Sequence, residues 1–402
     1  MRKVYIVAAK RSPIGSFLGS LKSHTAPALG ALVLGGLLES AGIGGEEISE
    51  VIVGNILPAG AGQGVGRQVS INAGVPQSVP AYSINMACGS GMKAAMLAAA
   101  QIRSGSEGLF AAGGTESMSN APYLIPAKSR QGIKMGDFKA VDHMVYDALT
   151  DAFSGAHMGV TAENIAERYA ISRERQDEFA LYSQAKAIAA VDAGAFDSEV
   201  IPVSVTEGKN SFMFLRDEYP NRTTSAEKLA GLRAAFKQGG TVTAGNASGL
   251  NDGAAFVLLA GEDEVSRRGL KPIAELIGFG QGGVDPQVMG MGPVPAIEAA
   301  LNDAGLKLSD MDYIELNEAF AAQALGVVAE LSKRHDMPEE KILSRCNVRG
   351  GAIALGHPVG ASGNRITITL AHILRDKNAR YGIASLCIGG GMGTAVVLKS
   401  CD

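Results

Sequence analysis

The fold is decided by the stretch Ala81-Tyr-Ser-Ile-Asn-Met-Ala-Cys-Gly-Ser-Gly-Met-Lys-Ala-Ala-Met-Leu-Ala-Ala-Ala-Gln-Ile-Arg103. Its first five residues predict a β-strand, and residues 89–103 predict a helix that is almost uncharged around its circumference. A helix without a polar face is buried on all sides. Strand patterns lie before it at residues 49–55 and after it at residues 109–112. Strands that alternate with helices of this length indicate βαβ units and a parallel sheet.

The same order of elements recurs in the C-terminal part of the chain. The segment Ile48-Ser-Glu-Val-Ile-Val-Gly-Asn55 is echoed by Leu308-Ser-Asp-Met-Asp-Tyr-Ile-Glu-Leu-Asn317, and Ser90-Gly-Met-Lys93 is echoed by Ser362-Gly-Asn-Arg365. Because βαβ units share glycine and Val/Ile patterns by chemistry alone, coincidence stays open. Two echoes in the same order favour a chain of two similar α/β halves.

Between these halves the sequence changes character. Residues 128–139 are polar and rich in glycine, and residues 161–170 and 173–193 predict amphipathic helices, the second of them starting after an N-cap serine. Long insertions of this kind often cover or bind a ligand, although many only decorate the surface. We expect an N-terminal half over residues 1–120, completed by residues 249–270. An inserted segment then covers residues 121–248, and a C-terminal half covers residues 271–402.

Composition excludes several classes of function. The chain has 402 residues, 36 Lys+Arg against 40 Asp+Glu and a formal charge of −4, so nothing predicts a polybasic surface for nucleic acid or lipid. No apolar run reaches the roughly 18 residues of a membrane span. Four cysteines are too few for a disulfide framework and indicate a reducing compartment. With no secretory signal or transit peptide in view, and no peroxisomal tripeptide in Lys399-Ser-Cys-Asp402, we expect a cytoplasmic protein.

Cys88 lies where the predicted strand meets the buried helix. The N-terminus of a buried helix offers unpaired N–H groups and the positive end of the helix dipole. There the pKa of a thiol can fall to about 3.5–7.5, which makes the sulfur a nucleophile. The alternative is a small hydrophobic core residue, which is the commonest state of such a cysteine.

Three further segments carry candidate chemistry. His357 lies among glycines in Asn347-Val-Arg-Gly-Gly-Ala-Ile-Ala-Leu-Gly-His-Pro-Val-Gly-Ala-Ser-Gly363, where small neighbours let a ligand reach an acid–base group, although a lone histidine is more often structural. Cys387 enters the turn Ile388-Gly-Gly-Gly-Met-Gly393, whose backbone N–H groups can form an oxyanion hole or merely a sharp bend. Asn317 lies between a predicted strand and a predicted helix. Its amide could cap the helix or could hold a catalytic water. Two thiols and one histidine together suggest acyl transfer through a thioester.

Two other patterns do not indicate a site. Gly278-Phe-Gly-Gln-Gly-Gly283 has the glycine spacing of a dinucleotide loop, but the prolines that follow prevent a helix from opening there. No CxxC or HxxxH spacing supports a metal, so we expect none.

The chain resembles the thiolase family over nearly its whole length. The resemblance rests on Asn85-Met-Ala-Cys-Gly-Ser-Gly91, the Asn347–Gly363 segment and Cys387-Ile-Gly-Gly-Gly-Met-Gly393, with Asn317-Glu-Ala-Phe320 and Thr243-Ala-Gly-Asn-Ala-Ser-Gly-Leu-Asn-Asp-Gly-Ala254 in support. It implies two similar βαβαβαββ halves in a five-layered α/β/α/β/α core with an inserted loop domain.

The resemblance also implies roles for single residues. Cys88 would be acylated after activation by His357, and Cys387 would move the proton on the acyl α-carbon. Asn317 would hold a water that, together with His357, stabilises the enolate oxygen of the thioester, and the backbone N–H groups of Cys88 and Gly389 would stabilise the other oxyanion. The family's acyl and CoA contacts fall on Leu149, His157, Met158, Arg222, Phe236, Ala244, Ser248, Met289 and Phe320. Asn221 and Ala234 depart from residues that are frequent in the family, which puts single CoA phosphate contacts in doubt.

The activity implied is reversible Claisen condensation of two acetyl-CoA to acetoacetyl-CoA and CoA, within lipid metabolism. CoA would be a substrate and product, with no tightly bound cofactor, and the chain would form a homodimer or homotetramer, with residues 122–144 a candidate assembly loop. One alternative is a 3-ketoacyl-CoA thiolase of broader chain length. Two further alternatives are a decarboxylating ketoacyl synthase and a non-enzymatic lipid carrier. The synthase would require a second histidine in place of Cys387, and the carrier would not require both thiols and His357.

Overall fold

The structure of the protein, a computed structural model, describes residues 2–401. The N-terminal half contains, in chain order, β1 (Val4–Arg11), β2 (Gly15–Ser16), α1 (Ala26–Ala41), β3 (Ile48–Gly54), α2 (Val65–Asn72), β4 (Ala81–Ile84), α3 (Ser90–Arg103) and β5 (Leu109–Ser117). A long excursion follows, with β6 (Tyr123–Leu124), β7 (Val141–Asp142), α4 (Met158–Arg168), α5 (Arg173–Asp192), β8 (Val203–Glu207), β9 (Asn210–Phe214) and α6 (Ala226–Ala230). The chain returns through β10 (Asn251–Gly261) and α7 (Glu262–Arg268).

The C-terminal half repeats the plan. It contains β11 (Ala274–Gly283), α8 (Pro293–Ala304), β12 (Tyr313–Leu316), α9 (Ala321–His335), α10 (Glu339–Arg345), α11 (Ala352–Leu355), α12 (Ser362–Asp376), β13 (Tyr381–Ile388) and β14 (Met392–Ser400).

These elements agree with the sequence pattern in type and order, and two of them differ in their bounds. The helix predicted over residues 161–170 spans Met158–Arg168. The strand predicted at residues 109–112 continues to Ser117. Its extension is glycine followed by polar side chains, which a hydrophobic pattern does not count as strand. In the structure these residues pair with β10, and the polar ones, Thr115 and Glu116 among them, are buried. Tertiary hydrogen bonding therefore sets the length of β5.

Ten of the strands form one mixed sheet in the order β12-β13-β14-β11-β1-β10-β5-β3-β4, with β2 paired to β10. The prediction of a parallel sheet holds for the pairs β3–β4, β3–β5 and β12–β13 and was wrong for the others, because β1, β10, β11 and β14 pair with their neighbours antiparallel. The two halves meet where β1 pairs with β11, through only Tyr5↔Glu275 and Ile6↔Ala274. The N-terminal half has the predicted βαβαβαββ order. In the C-terminal half the third strand is reduced to a single bridge between Ile314 and Cys346. The two halves are thus similar but not equal in strand content.

Five layers follow from the way the helices cover the sheet. One core cluster packs α3 and α12 between the inner faces of the two halves. A second places α1 and α2 against the outer face of the N-terminal half, and a third places α8 and α9 against the outer face of the C-terminal half. Gly91 and Gly363 bring the two central helices together, since a Cβ at Gly363 would lie 2.6 Å from the backbone nitrogen of Met92. The α/β/α/β/α fold is confirmed. The prediction that α3 is buried on all sides was wrong for one stripe, since Lys93, Leu97 and Gln101 are half-buried and Ala100 is exposed.

The glycines at residues 278–283 serve packing rather than phosphate binding. They lie within β11, and a Cβ at Gly280 would approach the backbone of Ala296 and Ala300 in α8 to about 2.5 Å. Glycine therefore lets α8 lie directly on the strand.

Arg11 fastens the excursion to the sheet. At the end of β1, its fully buried guanidinium donates to Glu199 Oε1 at 2.6 Å and to both carboxylate oxygens of Asp217 at 2.7 and 3.0 Å. Both acidic residues belong to the excursion. The ion triad therefore links the two parts of the chain in a region of low dielectric.

We expect Arg11→Met to lower the free energy of unfolding by about 3–5 kcal/mol, because two buried carboxylates lose their counter-charge. The measurement is urea unfolding followed by circular dichroism. Lys3→Met is the matched control, since the Lys3–Glu262 pair is half exposed on both sides and should leave the urea midpoint unchanged. Equal midpoints for the two variants would show that the triad is not needed for stability.

Within the described residues 2–401, no helix is both long and apolar enough to cross a membrane.

Candidate active site

Cys88 lies on a strained turn between β4 and α3. Asn85 Oδ1 accepts a hydrogen bond from the backbone N–H of Ala87 at 3.0 Å, and Ser90 Oγ accepts from Met86 N at 2.8 Å. Ala87 is thereby held at φ 41°, a left-handed conformation that is costly for a residue with a Cβ. This turn places the thiol just ahead of the helix.

The loop that carries Cys387 meets this turn from the other half. A Cβ on Gly89 would lie 2.3 Å from the side chain of Ile388, so glycine is needed for the two loops to approach. The three-residue turn Gly389–Gly391 connects β13 to β14, with Gly390 and Gly391 both at positive φ. The structure therefore brings the predicted nucleophile turn and the predicted oxyanion turn together.

The electrostatics of Cys88 differ from the sequence expectation. Burial raises the pKa of the Cys88 thiol to about 11, although hydrogen bonds from the backbone N–H groups of Gly389 and of Cys88 itself act in the opposite direction. The prediction of a lowered pKa was wrong, because desolvation of the thiolate outweighs the donors at the helix start. The resting sulfur is a neutral thiol and requires a base.

His357 is the candidate for that base. Its backbone N–H donates to Asn251 Oδ1 at 2.9 Å, and its ring Nδ1 lies 2.6 Å from Ser362 Oγ. Burial, with a smaller contribution from the charge of Arg365, lowers the pKa of His357 to about 4. The imidazole is therefore neutral at physiological pH, and its buried Nε2 has no hydrogen-bond partner in the protein.

Cys387 is likewise a neutral thiol. It is 1% exposed, and burial, reinforced by the neighbouring Cys88, raises its pKa far above that of an ordinary cysteine. It packs with Met158, Met289 and Phe320 in one apolar cluster. A thiol in these surroundings can donate a proton, and it becomes a base only after passing its proton to another group.

Asn317 does not cap a helix. The N-cap of α9 is Phe320, without a side-chain hydrogen bond, so the N-cap alternative for Asn317 was wrong. Its backbone N–H donates to Ser385 O at 3.0 Å, while both polar atoms of its fully buried side chain lack a protein partner. Such a group is costly to bury unless it serves a ligand or a water.

The network behind Asn317 holds it in place. The side-chain amide of Asn347 bonds to both backbone groups of Leu316. Its Oδ1 accepts from the Leu316 N–H at 2.9 Å, and its Nδ2 donates to the Leu316 C=O at 2.8 Å. Asn347 Nδ2 also donates to Glu318 Oε1 at 2.7 Å. Residues on both sides of Asn317 are thus anchored, which leaves its amide as the group presented to the site.

Aromatic and thioether side chains pack together at the residues that the resemblance assigns to the acyl pocket. Phe236 stacks on His157 with ring centroids 4.7 Å apart and meets Phe320 edge-on at 6.1 Å. Gly159 makes room for this stack, since a Cβ there would lie 2.2 Å from the Phe236 ring. Leu149 packs in the same cluster as Cys88.

The remaining predicted CoA contacts lie at the surface or near it. Ser248 is half-buried, with its backbone N–H donating to Ala319 O at 2.9 Å, and Ala244 is exposed. Arg222 is exposed and forms a two-contact ion pair with Asp192. A phosphate of CoA would therefore compete with that carboxylate for the Arg222 guanidinium.

Sequence reasoning missed the structural roles of three residues, Asn251, Gly356 and Glu116. Asn251 fixes the backbone of His357, and Gly356, at φ 100°, has no room for a Cβ beside it. The buried carboxylate of Glu116 accepts N–H donors from Ile56, Leu57 and Gly360, which ties the His357 loop to the N-terminal half. Asn251 and Gly356 lie in segments quoted above, and Glu116 lies near the end of β5. For Asn251 and Glu116 the available signal is a polar residue inside an apolar pattern.

The other two cysteines lie elsewhere. Cys346 is buried in the core of the C-terminal half, and burial raises its thiol pKa to about 12, whereas Cys401 is exposed. Within residues 2–401, no group of three or more His, Cys, Asp or Glu side chains is arranged to hold a metal ion.

We expect alkylation of Cys88 by iodoacetamide to accelerate with pH. Because only the thiolate reacts and the pKa of Cys88 is about 11, the rate should rise about tenfold per pH unit between pH 7 and 9. Peptide mass spectrometry at each pH gives the rate, with buried Cys346 as the slow internal control. A plateau near neutral pH would instead mean that the resting sulfur is ionised.

Two thiols, a neutral imidazole and converging backbone N–H groups suit the transfer of an acyl group through a cysteine thioester, so fold and site define a thiol-dependent acyltransferase. Residues 4–263 match the model of the thiolase N-terminal domain, and residues 270–400 match that of the thiolase C-terminal domain. The chain therefore belongs to the thiolase family.

Individual relatives are similar over their full length. The acetyl-CoA acetyltransferase of Chromobacterium violaceum is 50% identical over 398 residues, which cover 99% of each chain. The structure of acetyl-CoA acetyltransferase from Syntrophomonas wolfei superposes with a TM-score of 0.96 at 41% identity and covers 100% of both chains. Human mitochondrial 3-ketoacyl-CoA thiolase in complex with CoA superposes with a TM-score of 0.93 at 42% identity, over 100% of this chain and 98% of that one.

Proposed function

We propose that the protein is an acetyl-CoA C-acetyltransferase, which joins two acetyl-CoA reversibly to acetoacetyl-CoA and CoA. The observation that carries the proposal is the meeting of the Cys88 and Cys387 turns, with the backbone N–H of Gly389 donating to the Cys88 sulfur. The full-length similarity to acetyl-CoA acetyltransferases supports the substrate.

In the first half-reaction Cys88 takes up the acetyl group. His357 Nε2 accepts the thiol proton as the sulfur attacks the thioester carbonyl, and the backbone N–H groups of Cys88 and Gly389 stabilise the oxyanion. The intermediate collapses with cleavage of the C–S bond to CoA, and the CoA thiolate leaves with the proton from His357. The site returns to its neutral state, now carrying an acetyl-cysteine.

In the second half-reaction a carbanion forms beside the acetyl-cysteine. Cys387 passes its proton to His357 and, as a thiolate, removes a proton from the methyl group of the second acetyl-CoA. The Asn317 amide stabilises the enolate oxygen, directly or through a water. The enolate carbon attacks the acetyl group, the bond to Cys88 breaks, and the Cys88 thiolate recovers the proton from His357. Every proton is accounted for, and the reverse order gives thiolysis.

The packed acyl pocket supports a short substrate. Met158, Met289, Phe320 and Phe236 share the cluster that contains Cys387, so bulky side chains lie directly beside the reacting carbon. A long acyl chain would have to displace them, which is costly in a packed cluster.

We therefore expect thiolysis to be fastest with the four-carbon substrate acetoacetyl-CoA and to fall steeply with longer 3-ketoacyl-CoA esters. The measurement is kcat/KM over a chain-length series up to sixteen carbons. Met158→Ala is the matching variant, because it should raise the relative rate for longer chains. Undiminished activity across the series would favour a 3-ketoacyl-CoA thiolase of broad range.

We propose further that residues 121–248 act as an inserted domain that binds CoA, since His157, Met158 and Phe236 lie in it. CoA would be substrate and product without any tightly bound cofactor, and the reaction would belong to lipid metabolism in the cytoplasm, where both catalytic thiols stay reduced.

A homodimer or homotetramer fits the edge strand β4 and the exposed apolar residues of the 122–144 loop, such as Tyr123 (69% exposed) and Met135 (95%). Sedimentation velocity distinguishes these states from a monomer.

A further inference from the structure

We propose that Ser362 is a positioning residue that holds His357 in the tautomer needed for thiol chemistry. The inference deepens the proposed function, on which it rests for the role of His357 as base. It concerns a hydroxyl outside the group of residues assigned to the reaction above.

The contacts of Ser362 are short and buried. Ser362 is 1% exposed and is the first residue of α12, and its Oγ lies 2.6 Å from His357 Nδ1. The same oxygen lies 3.0 Å from the carbonyl oxygen of Pro358. The His357 backbone is fixed separately by Asn251, so Ser362 is the contact that orients the ring.

A serine hydroxyl has one hydrogen to donate and lone pairs to accept with. When His357 has taken a proton from a thiol, both ring nitrogens carry hydrogen, and Ser362 Oγ must then accept from Nδ1. Its own hydrogen is donated to the Pro358 carbonyl. If the resting state uses the same arrangement, Nδ1 carries the hydrogen and Nε2 presents its lone pair, and no hydroxyl has to rotate during the reaction.

The neutrality of this partner matters as much as its geometry. In serine proteases a buried carboxylate orients the histidine and stabilises its charged form. Here the partner is a hydroxyl, and Arg365 is the charged group that acts on the ring, so the protonated imidazole is not stabilised by a counter-charge. His357 therefore returns its proton readily, as a reaction that runs in both directions requires.

The first test measures the tautomer in the wild-type chain. The protein has 6 histidines, so ¹⁵N-histidine labelling gives few ring signals, and His357→Asn identifies those of His357. We expect the resting ring to carry its hydrogen on Nδ1, and to shift toward the Nε2–H form in Ser362→Ala. An Nε2–H tautomer in the wild type, or an unchanged ratio in Ser362→Ala, would overturn the proposal.

The second test measures single-turnover acetylation of Cys88 by intact mass. We expect Ser362→Ala to acetylate about 10–100-fold more slowly with little change in the KM for acetyl-CoA, and Ser362→Thr to recover part of the rate. Thr367→Val is the matched control, because it removes a buried hydroxyl of the same helix that donates only to Gly363 O at 2.8 Å. Equal losses in Ser362→Ala and Thr367→Val would overturn the positioning role. A wild-type chain that never acetylates would contradict the proposed function instead, while the tautomer would still be measurable.

Discussion

Cys88→Ser is expected to lower the rate of acetoacetyl-CoA thiolysis by about 10⁴-fold or more. An alcohol is a far weaker acid than a thiol in the same surroundings, so transfer of its proton to His357 costs more free energy at this position. Intact mass after mixing with acetyl-CoA should show one added acetyl group on the wild type and none on the variant. The steady-state assay should fall in parallel.

The matched control for this variant is Cys401→Ser, which makes the same chemical change at an exposed cysteine. It should acetylate and turn over like the wild type. If Cys88→Ser still gained an acetyl group at the wild-type rate, another residue would be the nucleophile, and the assignment of the Cys88 turn would be wrong.

Cys387→Ala is expected to separate the two half-reactions. The variant keeps Cys88, His357 and the Gly389 turn, so acetylation by acetyl-CoA should proceed within a few-fold of the wild-type rate. Condensation and thiolysis both need a proton moved at the α-carbon, and without the thiol we expect them to fall by about 10²–10⁴-fold. Intact mass reports the first step, and acetoacetyl-CoA formation reports the second.

Cys387→Ser serves as the volume-matched variant, because Cys387 packs against Met158 and Met289 and alanine leaves a small cavity there. A hydroxyl fills the space but is a poor proton carrier, so the serine variant should also acetylate without condensing. Failure of both variants to acetylate would give Cys387 a role in the first step. Normal condensation in both would remove it from the mechanism.

The three raised or lowered pKa values fit one scheme. Both thiols and the imidazole of His357 are neutral, so these three groups carry no charge that the apolar surroundings would have to stabilise. In the proposed mechanism, charge appears only during the reaction, next to the backbone N–H groups and the Asn317 amide. Preorganised donors that meet a charge only as it develops favour the transition state over the ground state.

Much of the site was predictable from short segments. Cys88, His357, Asn317 and Cys387 each lie in a glycine-rich or strand-ending motif whose chemistry is local, and the resemblance to thiolases joined them into one mechanism. The acyl pocket residues Met158, Phe236, Met289 and Phe320 could be assigned only by that resemblance. No periodicity links residues so far apart in the chain.

The hydrogen-bond partners of Arg222 and Asn251 could not be predicted from the sequence. Arg222 was expected at CoA, but in the structure its guanidinium is paired with Asp192. Asn251 passed unnoticed in a quoted segment, yet it holds the backbone of His357. Partner choice among polar groups depends on which strands and loops become neighbours.

The sequence by itself determined the order of strands and helices and indicated Cys88, His357, Asn317 and Cys387 as candidate site residues, because these follow from hydrophobic pattern and residue chemistry along the chain. The tertiary structure alone decided that the turns of the two halves meet at Gly89, that β5 extends to Ser117, and that Cys88 rests as a thiol. The physical reason is that the energy of a charge depends on everything packed around it. A helix terminus can be recognised locally, but the loss of water around Cys88 arises only when both halves close over it.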